Sequence, residues 1–152
     1  MNAIREVLRA VVAASDDPML PRARLLPLVY LVDWEAAQTM GRPLTGVPWH
    51  LEWSGPYAEE VLVALDRDRH LQVRMQPTVW GDRRIVVADA LPPSLLDPDA
   101  GTLVQRVVAA MKPKGATAFL AHVKSTYPCV YGTRGRSLDL VALARAQAVL
   151  RV

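Results

Sequence analysis

His50, His70 and His122, the lone Cys129, and a loop from Gly41 to Tyr57 carrying Trp49 and Trp53 hold most of the side chains that could do chemistry in this sequence. A zinc pair on a helix needs histidines four residues apart with a further ligand nearby, and these three have neither. Cys129 lacks the flanking residues of a nucleophile signature, and a lone cysteine of this kind reads as a small buried hydrophobe. An enzyme using Cys129 with a histidine stays open as a third reading, but no substrate can be attached to it. Gly41, Gly46 and Gly55 do not follow a strand as a phosphate-binding loop does, and the lysine of a P-loop is missing. No catalytic group, metal or cofactor is expected, and binding functions remain.

Two kinds of binding fit the residues. Trp49, Trp53 and Tyr57 alternate with turn-forming glycines and prolines, and aromatic anchors on a rigid loop are the material of a protein-binding hot spot. Equally, Trp49 and Trp53 could seal a core in a chain with only 6% aromatic residues. Tyr57 is expected inside, because it begins an apolar stripe with Val61, Leu62 and Leu65. The rival reading is nucleic acid: helices followed by a hairpin with Arg74, Arg83 and Arg84 could form a winged helix whose arginines touch phosphate. The helix that would enter the groove, "PYAEEVLVALDRDR", presents Glu59, Glu60, Asp66 and Asp68, which repel the DNA backbone. Nucleic acid is therefore not the expected partner.

The elements that must position these residues follow from period and punctuation. A chain of 152 residues suits one domain, and a chain of that size buries roughly 68–70% of its unfolded surface. Its 18 Lys and Arg are scattered among 15 Asp and Glu, a net charge of +3 that identifies no partner. One cysteine precludes an internal disulfide and fits a reducing compartment. "MNAIREVLRAVVAA" carries an arginine inside its apolar stretch and offers no membrane span. A cytoplasmic protein without a membrane partner is expected.

Apolar residues at helical spacing predict helices over about 2–14, 24–40, 56–69, 99–112, 116–125 and 137–150. The second is apolar nearly all round, and Pro27 should start or bend it. Ile4, Val7, Leu8, Val11 and Val12 line the first helix, with Arg5, Glu6 and Arg9 on its other side. Pro56 suits the first position of the third helix, and Ser137 is a candidate cap for the last. Between about 72 and 88 the period becomes two, with Gly81-Asp82 as the centre of a type II′ hairpin turn. Trp80 then faces Arg83, and Val73, Met75, Pro77, Val79, Val86 and Ala88 should rest on the helices. The expected fold is α+β and mainly α: a single helical domain, 1–152, of about six helices with one inserted β-hairpin.

The run from Leu25 to Leu65 also resembles a known family. An apolar helix with Tyr30, Leu31 and Asp33, then Gly41, Pro43, Thr45 and Gly46, then aromatic Trp49, then Gly55-Pro56, is similar to the signature of the Panacea domain, also called the SocA-like antitoxin or phage-associated GepA-type domain. "STYPCVYGTRGRSLDLVALA" is similar to the second half of that family. The resemblance implies a non-enzymatic bacterial protein that binds and neutralises a toxin encoded beside it, or, in one branch, an adaptor that delivers the toxin to a cytoplasmic protease. On that expectation Tyr30, Asp33, Gly41, Pro43, Thr45, Gly46, Gly55 and Pro56 build the scaffold. Trp49, Trp53, Trp80, Arg83, Arg84, Tyr131, Arg134 and Arg136 are the candidate partner contacts.

Overall fold

In a computed structural model describing residues 2–151, the chain is mainly helical with two small antiparallel sheets. Helix α1 (Ala3–Ser15) starts where the Asn2 side chain accepts from the Arg5 amide, and α2 (Arg22–Met40) follows a two-residue strand, β1 (Leu20–Pro21). Strands β2 (His50–Glu52) and β3 (Gly55–Tyr57) form a short hairpin that leads into α3 (Glu59–Arg67). The long hairpin β4 (Leu71–Thr78) and β5 (Gly81–Ala88) comes next, with β1 paired on the free edge of β5. The chain ends with α4 (Pro98–Met111), α5 (Ala116–Ser125), the single turn α6 (Tyr127–Tyr131) and α7 (Leu140–Leu150).

Helix α2 is the axis, with α1, α4, α5 and α7 packed around it. Its all-round apolar sequence is explained by this position: Leu25, Leu28, Val29, Leu31 and Val32 are all buried, against Val7, Leu8 and Val11 of α1 and Leu103, Val104 and Val108 of α4 in one connected core. Pro27 neither starts nor ends the helix. It stands one turn inside and has no N–H to offer the Ala23 carbonyl four residues back, a local loss that the surrounding burial outweighs.

Several expectations are corrected. The Gly55-Pro56 pair does not open α3; Gly55 takes a φ of 122° and both residues lie in β3, so a second hairpin appears and the helix begins at Glu59. Tyr57 consequently faces outward rather than into the core. The last helix is capped by Asp139, whose carboxylate accepts from the Ala142 amide at 3.0 Å, not by Ser137. A seventh helix, α6, forms where Pro128 stands in the first turn.

The long hairpin turns at Val79-Trp80, two residues earlier than expected, so Arg83 pairs with Gln76 instead of Trp80. Both turn residues keep negative φ, and the positive φ falls on the next residue, Gly81, at 113°. The slip preserves the two-residue alternation but not the expected packing. Only the base of the hairpin rests on the helices, through Leu71, Val73 and Val86, while Met75 is 56% and Val79 92% exposed.

Two acids read as surface residues are buried. Glu6 accepts from the Leu95 amide at 2.9 Å, which ties the proline-rich connector before α4 to α1. Asp68 closes α3, where Arg9 Nε donates to it at 3.0 Å and the His70 amide at 2.8 Å. This pair staples α1 to the start of the hairpin.

Gly132 shows how tightly the C-terminal turn is packed. A Cβ there would overlap the Pro128 carbonyl and Leu138 Cδ2, whereas one on Gly101 in α4 would meet nothing within 4 Å. Gly132→Ala is expected to lower stability by about 1–3 kcal/mol, and Gly101→Ala to raise it by about 0.5–1 kcal/mol by removing glycine entropy from a helix. Urea unfolding of the two variants checks the opposite signs.

Candidate functional site

Asp33 lies on α2, two turns before its end. Gly41, at φ 77°, turns the chain back along the helix, and Gly46, at φ 72°, reverses it again. The segment between them, with Trp49 just beyond it, delivers its donors to one carboxylate. The amides of Leu44 and Thr45 donate to Asp33 Oδ1 at 2.9 and 3.0 Å, while the Thr45 hydroxyl and Trp49 Nε1, the latter at 2.8 Å, donate to Oδ2. Asp33 is fully buried. Burial pushes its carboxyl above the usual range, and the four donated hydrogen bonds pull it back.

Tyr30, one turn earlier, packs edge-on against the Trp49 ring, with centroids 5.6 Å apart and planes at 80°. Its hydroxyl is 2.8 Å from Thr126 Oγ1 and accepts a weak contact from Cys129 Sγ at 3.8 Å. Burial, the largest cause, raises the Tyr30 phenol far above its ordinary range. The cluster therefore joins α2, the 41–49 loop and the α5–α6 junction. Thr126 was missed in the sequence because its partner lies 96 positions away and no local pattern marks it.

The motif residues Tyr30, Asp33 and Thr45 thus meet around Trp49, and Gly41, Pro43 and Gly46 lie in the loop they hold. Trp49 is corrected as a candidate contact: only 1% of it is exposed, and its indole N–H is used inside. The Asp33 carboxylate, saturated by donors and shut off from solvent, is a support and not a proton acceptor for an outside ligand. Among the described residues, no three His, Cys, Asp or Glu side chains come together as a metal-sized group.

The support carries an exposed surface. Beyond Trp49 the chain enters β2, whose outer edge is taken by residues 135–138: the Leu138 amide donates to the Trp49 carbonyl at 2.7 Å and the Gly135 amide to Leu51 at 2.8 Å. That pairing lays the Arg134 guanidinium over the Trp53 ring, 3.5 Å from its centroid, with Trp53 77% exposed. Tyr131, also exposed, stacks on Tyr127 at 4.5 Å, and Arg136 is exposed on the paired segment. Sequence reasoning had no means to find the Trp53–Arg134 pair, which depends on the remote strand pairing.

Trp80, Arg83 and Arg84 lie elsewhere, on the projecting hairpin, with Trp80 95% exposed at its tip. A groove of about 860 Å³ separates the hairpin from the β2–β3 turn; Arg83 and Arg84 line one side, and Ser54, Pro56 and Tyr57 the other. On α3, Glu59, Glu60 and Asp66 are exposed as expected, but Asp68 is not.

This arrangement is a mainly helical α+β fold with a buried aspartate centre and an aromatic–arginine surface. The sequence matches no family model, no curated protein and no solved structure.

Asp33→Asn would turn an amide donor toward groups that already donate, and is expected to cost about 2–4 kcal/mol of stability. Trp49→Phe, which removes one donor and leaves the ring, should cost about 1–3 kcal/mol. Denaturant midpoints measure both; a change under about 0.5 kcal/mol in Asp33→Asn would contradict the role given to the carboxylate.

Proposed function

We propose that this chain is an antitoxin-like protein-binding domain, related to the Panacea family, that neutralises a cognate toxin by direct contact and without an enzymatic step. The observation that carries the reading is the coupling of motif to surface. Asp33, Thr45 and Trp49 of the Leu25–Leu65 resemblance meet and hold the loop, and the chain that follows presents Trp53 with Arg134 stacked on it. Tryptophan, tyrosine and arginine are the residues enriched in protein hot spots. A frame ordered before binding also lowers the entropic cost of association.

Nucleic acid fits this surface less well. Arg74 and Arg83 already donate to Gln72 and Gln76 at 2.9 and 2.6 Å, and α3 exposes carboxylates. No helix of the described residues is long and apolar enough to cross a membrane.

The test is co-expression with the product of the neighbouring gene, the candidate toxin. Restored growth with a co-purifying complex is the expected result; restored growth with loss of the toxin would assign protease delivery instead, and an absence of toxicity and of any complex would overturn the proposal. Within the complex, Trp53→Ala is expected to weaken affinity at least about tenfold, near the 1.4 kcal/mol expected of an anchor. Its melt should stay cooperative, because the ring lies outside the core, whereas Trp49→Phe should lower the melt instead.

A further inference from the structure

The trough around the N-terminus of α2 is a second surface feature, and the motif residues do not account for it. On one side of the helix lies the groove facing the β2–β3 turn; on the other is a depression of about 580 Å³ walled by α4 and α5. Both are lined by Pro21, Ala23, Pro27, Arg83 and Leu120, so they form one continuous path across the start of α2. Its floor is apolar. Leu120 is 37% exposed although it lies on a helix packed against α2. Ala23, exposed between the two halves, has a carbonyl that Pro27 cannot serve with an N–H.

The rim is predominantly cationic. Arg22, Arg24, Arg83, Arg84, Lys112 and Lys114 line the trough, against Asp17 and Asp82. From totals of 18 and 15, this leaves 12 Lys and Arg against 13 Asp and Glu on the rest of the chain. The whole positive excess of the protein is therefore concentrated here. None of the six cations forms an ion pair within 4.0 Å among the described residues, where such pairs involve only Arg5, Arg9 and Arg106. Arg24 is fixed in place, donating to the Met111 carbonyl at 2.7 Å and lying 4.2 Å over the Phe119 ring.

We propose that this trough seats a segment of the protein partner with apolar anchors flanked by Asp or Glu, the anchors on the Leu120–Pro27 floor and the carboxylates on the cationic rim. The proposal rests on the protein-binding reading above and names the chemistry of the partner. An apolar floor does not suit a phosphate backbone, whose charge requires polar contacts along its length. A peptide suits it better than a lipid carboxylate because the path is long, carries charge on both walls and offers the Ala23 carbonyl to a backbone N–H. An excess of one sign around an apolar centre is the arrangement that steers an oppositely charged partner and fixes its register.

Selection of displayed random peptides on the full chain tests this without knowledge of the toxin. The expected winners combine Leu, Ile or Phe with Asp or Glu, lose at least tenfold in affinity to Leu120→Glu and to the Lys112→Glu/Lys114→Glu pair, weaken with added salt, and bind Arg145→Glu, an exposed charge reversal on α7 away from the trough, unchanged. Both lysine substitutions are at the surface, so they keep the test valid if Leu120→Glu fails to fold. Winners without acids, winners indifferent to the trough variants, no winners, or saturable binding of oleate in their place would each overturn it. A failed toxin rescue with acidic winners in the trough would reject the antitoxin role and leave this site standing.

Discussion

A single buried carboxylate with no cation beside it sets the constraints on this protein. Removing an ionised group from water is costly unless its lone pairs are filled, and the Asp33 oxygens are filled by four donors drawn from six consecutive residues, Leu44 to Trp49. Those donors can face inward only if the chain reverses at Gly41 and Gly46, so the cost of the buried charge is converted into a fixed loop path. The fixed loop then determines where β2 begins, and β2 supplies the edge that residues 135–138 pair with. Trp53 and Arg134, more than 80 positions apart in the chain, are thus brought together by a hydrogen-bond centre neither of them touches.

The contrast between Trp49 and Trp53 shows what was legible in the sequence. Both sit in the same loop, among the same glycines and prolines, and the residue pattern gives them equal claims to be core or contact. The difference is made by Asp33, 16 positions before Trp49, which offers an acceptor to one indole only. Helices with a clean period were readable: α5 falls on the expected 116–125, and α1, α2 and α4 within two residues at each end. Gly55-Pro56 misled because glycine followed by proline marks a change of direction equally well in a helix start and a hairpin. In the structure the pair lies in a hairpin whose first strand also pairs with residues 135–138, a contact no local pattern marks. Glu6 and Asp68 misled for the related reason that an acid on an amphipathic helix looks solvated until its remote partner, Leu95 or Arg9, is known.

Charge organisation was equally hidden. The six cations of the trough occupy positions 22, 24, 83, 84, 112 and 114, pairs too short to register as basic runs, and they are gathered only because the first half of β5, the end of α4 and the start of α2 meet at one corner. At the same time three carboxylates, Glu6, Asp33 and Asp68, are withdrawn into the interior. Folding therefore raises the contrast in surface charge above what composition suggests. A net charge of +3 is a weak statement about the chain and a misleading one about this corner.

The two exposed features meet at the β2–β3 turn, where Ser54, Pro56 and Tyr57 wall the trough directly after Trp53. On the proposed reading this adjacency divides the work of recognition. Unpaired cations act over distance and raise the encounter rate, with an effect that salt screens within about 10 Å at 0.1 M. An exposed indole acts only at contact, by losing water and filling a pocket, so it governs how slowly the complex dissociates. Because both hang on a frame anchored by Asp33, a change in that centre would alter their spacing together, while substitutions on either surface leave the frame intact. On that reading a scaffold of this kind would let the partner vary without re-solving the fold, since the residues that set chain path and those that face solvent are different sets.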